Sequence, residues 1–530
     1  MLSSEEHGNR ESTRIVATVN AIAGTALFCL IALGGCAKPA PLAPPGYLQV
    51  DLPAAPTAID PRITADAISS RVAELIYNSL VRIDRNGEFV GDLAESLERP
   101  APTEIVFHLR RNVRFSDGRP FSARDVKFTY ESILDPATLS VKRAGLAELA
   151  SVTIADDYTL TMTTRRPSAP ALAMATIGIV PYGSPIPGEG ATPPGTGPFR
   201  LVRLAHDEAV ILARNPYSQS AANAVLGLAL KVVPDPTVRV LELTEGNCRF
   251  AENDALQPEL IPYLAAQPHL RIVRSPGSTY HYLVFNFRDE RLRDLRVRRA
   301  IAYAIDREAI VASMIRGKAR VASGVLAPEN WAYAGDVTHY PYDAAKARGL
   351  IEAAGYSARA QPLRLTYMTT PEGRRLAEVL QAMLLRVGIG LDIHTNEWAT
   401  FYSDLRNGNF DMASSQWVGI GDPHQYYEIF DSHMTPGAGG SNRGDYSNSR
   451  MDQLVEAGDA TIDPVARRAI YRDVQRLAAD DLPYVSLWWD DNVAAYDRRL
   501  TGFAPYPNGS LISLATAEFP SVSRAPRPTP

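Results

Sequence analysis

Apolar and polar positions alternate along the chain in a way that predicts interleaved strands and helices. LRLTYMT (363–369) alternates with a period of two. From Pro371 to Val387 the apolar residues Leu376, Val379, Leu380, Met383 and Leu384 recur at helical spacing, and Gly388 stops the run. IGLDIHT (389–395) alternates again. Strand, helix and strand at these lengths predict a βαβ crossover, and so a partly parallel sheet in the C-terminal half. Further on, FDMASSQW (410–417) reads as a strand running into a loop with Gly419, Gly421, Asp422 and Pro423.

Helix boundaries are marked by capping residues. In FSARDV, Ser122 and Asp125 have the spacing of a capping box. Asp306 precedes a helix with Ile310, Val311, Met314 and Ile315 on one face, ended by Gly317. Asp343 begins another, with Leu350, Ile351 and Ala354 inward and Gly355 at its end. Asp463 is followed by Pro464 at the first helical position, where the missing N–H costs nothing. Ser116-Asp117-Gly118 reads as a turn, and PIPGEGATPPGTGPF (185–199) as an interdomain passage.

The first segment has a different pattern. Residues 15 to 35 form an uncharged, apolar run that ends in Gly34-Gly35 before Cys36. Such a run followed by small residues predicts an export signal. LGGC resembles a bacterial lipobox, in which Cys36 is lipidated and begins the mature chain. An uncleaved transmembrane anchor is the alternative, since a run of roughly 20 apolar residues can span a bilayer. Residues 37 to 46, AKPAPLAPPG, read as a Pro-rich tether.

Composition narrows the function. At 530 residues the chain exceeds one core, and two or three units are expected. A net charge of −5 and the lack of a long basic run argue against nucleic acid. Three cysteines, Cys29, Cys36 and Cys248, provide no metal-type pairing and no disulfide framework. No nucleophile elbow, phosphate loop or zinc-type histidine pair occurs in the sequence. The expectation is therefore no catalytic residue, no cofactor and no metal.

Six blocks in order resemble the solute-binding proteins of the peptide- and nickel-type ABC importer family. They are 58–98, FHLRRNVRFSDGRPFSARDVKFTYESILDP (107–136), GTGPFRLVR (195–203), 285–311, YPYDAAKARGLIEAAGY (340–356) and 481–503. The resemblance implies a two-lobed α/β fold of the periplasmic-binding-protein type, with an extra small domain inserted in lobe I. On this sequence it places the signal at 1–35 and the tether at 36–46. Lobe I falls at 47–88, 195–276 and 497–530, the extra domain at 89–194, and lobe II at 277–496. It implies capture of a peptide or peptide-like solute between the lobes, and delivery to the permease subunits of an ABC importer. The expected protein is an exported monomer, held on a bacterial membrane through Cys36. A peptide receptor or chaperone-like protein without a transport role is the second reading, and an exported hydrolase the third.

Candidate ligand contacts concentrate in residues 396–432. Trp398, Tyr402, Trp417, Ser415, Gly419 and Asp422 are the candidates there, since loops after strand ends hold ligands in α/β folds. Trp417 fits either a site wall or the lobe II core, and Tyr426 and Tyr427 fit core or surface. Tyr280 and Tyr282, near the expected start of lobe II, are further candidates, whereas His281 reads as a hydrogen-bonded hinge or surface residue. Peptide-binding members carry an Asp three residues after the Trp, where it pairs with the peptide's amino group. This chain has Ile420 at that position. Either Asp422 takes the part, or the ligand lacks the free amine.

Overall fold

The computed structural model describes residues 42–520 apart from 86, 189–191, 206–207, 219–224, 358 and 439. The apolar run and Cys36 lie outside the described residues. Contacts divide the chain at Pro45, and every element named here falls in the second unit. Among the described residues no helix is long and apolar enough to cross a membrane.

Strand β1 (Leu48–Leu52) opens the fold. The hairpin of β2 (Val81–Ile83) and β3 (Phe89–Gly91) follows. Next come β4 (Ala94–Ala101), β5 (Glu104–Leu109), β6 (Leu149–Asp156) and β7 (Thr159–Thr164), which form a separate antiparallel sheet in the order β4-β5-β7-β6. Then β8 (Phe199–Ala205), β9 (Ala209–Arg214), β10 (Gly227–Val232) and β11 (Phe250–Glu252) join β1. After β12 (Leu270–Phe285) and the short β13 (Ala319–Val321) come β14 (Leu363–Thr369), β15 (Ile389–Thr395) and β16 (Met412–Trp417). The last is β17 (Tyr484–Asp497).

The main sheet has the order β15-β14-β16-β12-β17-β11-β1-β10-β9-β8, with β13 against β17. Its two central strands, β12 and β17, run antiparallel from Leu270 opposite Asp497 to Val284 opposite Tyr484. At roughly 3.3 Å per residue they span both lobes. At one end β17 pairs with β11 through Ala494–Tyr496; at the other, β12 pairs with β16 through Tyr280–Phe285. Their register shifts between Pro276 and Tyr280, so the ladder is irregular where the lobes meet. This is a two-lobed α/β fold joined by two crossing strands. The four-stranded sheet is the core of the inserted domain, built on Phe107, Phe115, Phe121 and Tyr130.

Strand alternation sorts the lobe II residues between two cores. Leu283 and Phe285 enter one, against Leu365, Tyr367 and Leu380. Tyr280, Tyr282 and Val284 enter the other, against Phe401, Tyr426 and Phe430. The period of two in the strand requires this separation.

The expected elements form, with small shifts. β14 and β15 are parallel, with Leu363 opposite Ile389, as a crossover demands. The helix between them is Arg374–Leu385, starting later than Pro371 because Thr370 and Gly373 close a turn first. Ser122 and Asp125 form their capping box on helix Ala123–Leu134. The side chains of Asp306, Asp343 and Asp463 each accept a bond from the backbone N–H three residues on. Each such cap contributes about 1 kcal/mol. Cys248 is buried and unbridged.

One buried acid gives lobe I a pH dependence. Asp51 on β1 is 2% exposed, and the weak donor beside its carboxylate is the Cys248 thiol. Burial, with the Glu242 carboxylate adding to it, raises its pKa to about 7. The folded state therefore holds a proton that the unfolded chain has already lost above about pH 4. Stability falls as pH rises through this window, and the penalty is complete above pH 7. Asp51→Asn is expected to stabilise the protein by about 2–4 kcal/mol at pH 8, with the gain fading towards pH 5. Urea denaturation across that range measures it, and an unchanged stability at pH 8 would contradict the assignment.

Candidate functional site

The two lobes and the crossing strands border an open cleft of about 300 Å3, at the lower end of the range for small-ligand sites. Ile83, Arg85, Pro507 and Asn508 line it from the lobe I side, and Ser275 to Ser278 form its back. Asn330, Trp331 and Gly419 to Gly421 line it from lobe II. Bonds across the back hold these parts together. Ser278 donates its N–H to the Pro507 carbonyl at 3.2 Å, and Ile420 donates to the Ser278 carbonyl at 3.2 Å. Asn492 donates to the carbonyls of Tyr506 and Pro507, at 2.8 and 3.0 Å.

The loop from β16 packs against lobe I, and its backbone turns through a left-handed residue that favours glycine. Gly419 has φ +68°, and a Cβ placed there would lie 3.6 Å from Asn508 Cβ. A Cβ at Gly421 would lie 3.3 Å from Ile83 Cδ1. Asn330 donates to the Gly421 carbonyl at 2.9 Å and fixes the loop from the lobe II side. The inserted domain also reaches lobe II, where Ala169 donates its N–H to the Asp459 carbonyl at 2.7 Å.

The aromatic candidates are brought together in one stacked series. Trp398 stacks on Tyr402 at 5.9 Å between ring centres. Arg443 lies 5.4 Å from the Tyr402 ring and 4.5 Å from the Trp417 ring. Trp417 stacks on Tyr282 at 6.1 Å, and Tyr282 on Tyr280 at 5.7 Å and on Tyr484 at 4.2 Å. The strand ladder explains this meeting, because Tyr280 stands opposite Trp417 and Tyr282 opposite Ser415. β14, β15 and β16 run parallel, so the helix Trp398–Asn407 and the Trp417 loop leave from the same sheet edge.

Exposure divides the series. Trp398 is 62% exposed and Tyr402 38%, whereas Tyr280 and Tyr282 are buried. The two tyrosines are lobe II core. Of the residues expected to touch ligand, Gly419 lines the cleft, whereas Trp398, Tyr402, Ser415, Trp417 and Asp422 lie off its lining. Burial raises the Tyr280 hydroxyl far above its usual pKa, and it is bonded to Ser486 Oγ at 2.7 Å. Tyr426 is buried core, and Tyr427 stacks on His424 at 5.5 Å. His281 bonds Asp490 at 2.8 Å and stacks on Trp488, so it is a hydrogen-bonded residue as expected.

Asp422 has a different role from the one expected of it. Both of its oxygens accept bonds from Arg467, at 2.6 and 2.9 Å, and the pair is nearly buried. Oδ1 also accepts the His424 N–H at 2.8 Å. The carboxylate is already neutralised inside the protein, so it anchors the loop and does not offer a free charge to a ligand cation. The neighbouring His424 is shaped by the same cluster. Burial opposes its charged form, but the Asp459 carboxylate 2.6 Å away outweighs this and raises its pKa.

Three site features were not evident from the sequence. Arg443 completes the aromatic series, Arg467 holds Asp422, and Trp331 lines the cleft 5.4 Å from the Arg467 guanidinium. A lone Arg in SNRGDYSN carries no local signal, and Arg467 is 45 residues from its partner.

The model of the bacterial extracellular solute-binding proteins, family 5 Middle, matches residues 88–436. A curated relative, di/tripeptide-binding protein 2 of Pseudomonas aeruginosa, is 28% identical over 91% of this chain and 96% of its own length. Among solved structures, NikZ from Campylobacter jejuni in complex with Ni(L-His) is similar with a TM-score of 0.78 at 24% identity, covering 90% of this chain and 100% of that one. The oligopeptide-binding protein AppA from Bacillus subtilis, in complex with a nonapeptide, has a TM-score of 0.77 at 23% identity over the same shares.

Proposed function

This chain belongs to the bacterial extracellular solute-binding proteins of family 5, and on that premise we propose that it captures a peptide or peptide-like solute between its lobes and delivers it to an ABC importer. The observation that carries the reading is the open, mostly apolar cleft between two lobes joined by two crossing strands. Such a connection permits hinge closure, and closure over a guest creates a shape that a permease can distinguish from the empty protein. The protein acts as a carrier, and the ligand leaves unaltered. The peptide class is supported by the named ligand of the Pseudomonas aeruginosa relative. Aromatic walls suit varied side chains, since Trp398, Tyr402 and Trp417 provide apolar contact area at low entropy cost.

The exposed Trp398 and Tyr402 and the half-buried Ser415, Trp417 and Gly419 are the proposed contacts from lobe II. Asp422 acts on the ligand only by shaping the loop. The mature chain begins at Cys36, which carries the lipid that holds the protein on the membrane as a monomer.

Mass spectrometry of the protein purified from its own host membranes tests these statements together. Under native conditions the expected result is a bound, intact peptide of a few residues. Under denaturing conditions it is an N-terminus at Cys36 with the mass of an attached diacylglycerol and acyl chain. A metal chelate or porphyrin as the bound species would overturn the peptide reading, and cleaved fragments would favour a hydrolase. An unmodified N-terminus at another residue would remove the anchor.

A further inference from the structure

Arg443 is a cation held in place without an acid. Asn442 on one side is 2% exposed, and its side chain bonds the carbonyls of Asp431 and Tyr446, at 3.1 and 2.7 Å, and the Tyr446 N–H at 3.0 Å. Gly444 on the other side accepts the Phe287 N–H at 2.8 Å and lies so close to Phe285 that a Cβ would sit 2.4 Å from its carbonyl oxygen. The backbone at Arg443 is thus fixed on both flanks. Its guanidinium donates to the Tyr282 hydroxyl at 3.1 Å and stands over Trp417 and Tyr402. Among the described residues no carboxylate lies within ion-pair reach of it, although a guanidinium has five N–H donors. The Trp417 Nε1 beside it is buried and has no hydrogen-bond partner among the described residues. A buried donor left unmatched is costly, and calls for an acceptor.

Three acids nearby are matched, and a fourth, Asp431, is buried away from solvent with one oxygen unpartnered among the described residues. Asp422 is paired with Arg467, Glu329 at the cleft with Arg320 at 2.7 Å, and Asp445 with Arg288 at 3.2 Å. Of the charged residues that line the cleft, Glu329 is matched and Arg85 adds an exposed positive charge. Arg443 is not a lining residue, and stands beside Trp417, two positions before the lining Gly419. We propose that the Arg443 fork, backed by the Trp417 indole, receives a carboxylate of the ligand, and that the site does not require a free amino group. This rests on the reading of the cleft as a peptide-type site and names what that site selects.

Calorimetry on the full chain distinguishes the two levels of the claim. The probes are one random tripeptide library in three forms: unblocked, N-acetylated, and C-terminally amidated. Unblocked and acetylated libraries are expected to bind within about threefold of each other. The amidated library is expected to bind at least about tenfold more weakly, as loss of a charge-assisted fork implies. Arg443→Gln should lower the unblocked library to the amide level, with unfolding checked by circular dichroism. Arg443→Lys keeps the charge but not the planar fork, and should lose at least about threefold. It carries the test if the Gln variant does not fold.

Equal binding of amide and acid by the unsubstituted protein would overturn the proposal, and would leave the peptide reading standing. So would a tenfold loss on acetylation. Discrimination retained in a folded Arg443→Gln or Arg443→Lys variant would show a packing residue only, and would overturn it too. Failure of all three libraries to bind would overturn the peptide reading and this proposal together.

Discussion

Arg467→Met is expected to destabilise the protein by about 3–5 kcal/mol, because it leaves the Asp422 carboxylate buried without a cation. The side chains of the pair are only 7% and 13% exposed, so water cannot take over the solvation of the remaining charge. Arg467 also donates to the Gly458 carbonyl at 3.0 Å and packs beside Trp331 and Tyr471. Methionine retains much of that packing but none of the charge. The double variant Arg467→Met with Asp422→Asn should recover at least half of the loss, since no bare charge is left in the interior. Urea denaturation of the single and double variants measures this. A loss below about 1 kcal/mol, or no recovery in the double variant, would contradict the anchoring role given to Asp422. Because the pair fixes the segment between Gly421 and His424, the single variant should also bind ligand more weakly.

Local signals in the sequence were read correctly because their physics is local. A cap is settled within four residues, so Asp306, Asp343 and Asp463 could be recognised without knowledge of the fold. The βαβ unit followed from periodicity alone. Trp398, Tyr402 and Trp417 lie close enough in sequence to be grouped, and the parallel strands do bring them to one edge. What escaped was set by pairing at long range. Tyr280 meets Trp417 across 137 positions of sequence, and only the β12–β16 register puts it inside the lobe. A pattern of aromatic residues cannot tell a cleft wall from the support behind it. Asp422 looked available because its partner comes from a helix far along the chain. The joint between the lobes carries no local mark, since β12 and β17 each run as one strand through it, and the expected boundaries at 276–277 and 496–497 came from the family resemblance alone.

The family resemblance supplied the architecture, and the residues decided how the site departs from it. Ile420 stands where an amino-group-binding Asp was expected, and it is 7% exposed, packed in the second lobe II core. The sheet edge presents instead an arginine over a tryptophan. On the proposal made for Arg443, this difference changes the ligand charge preference on an unchanged frame, since fold and specificity are separable.

The clamp itself can be tested by locking it. A Cβ at Gly419 would stand 3.6 Å from Asn508 Cβ, within the range of about 3.5–4.5 Å that a disulfide needs. Gly419 belongs to the lobe II loop, and Asn508 to the C-terminal segment that packs on lobe I through Leu511 and Leu514. Cysteine at Gly419 costs about 1–2 kcal/mol for its left-handed backbone, which leaves the cross-link sterically open. In the doubly substituted Gly419→Cys, Asn508→Cys protein, oxidation before addition of a fluorescent tripeptide should slow uptake at least a hundredfold. Oxidation after loading should hold the peptide through dialysis, and a reductant should restore exchange in both cases. Uptake and release at unaltered rates in the oxidised protein, with thiol titration showing the bond formed, would mean that the ligand does not pass between the lobes.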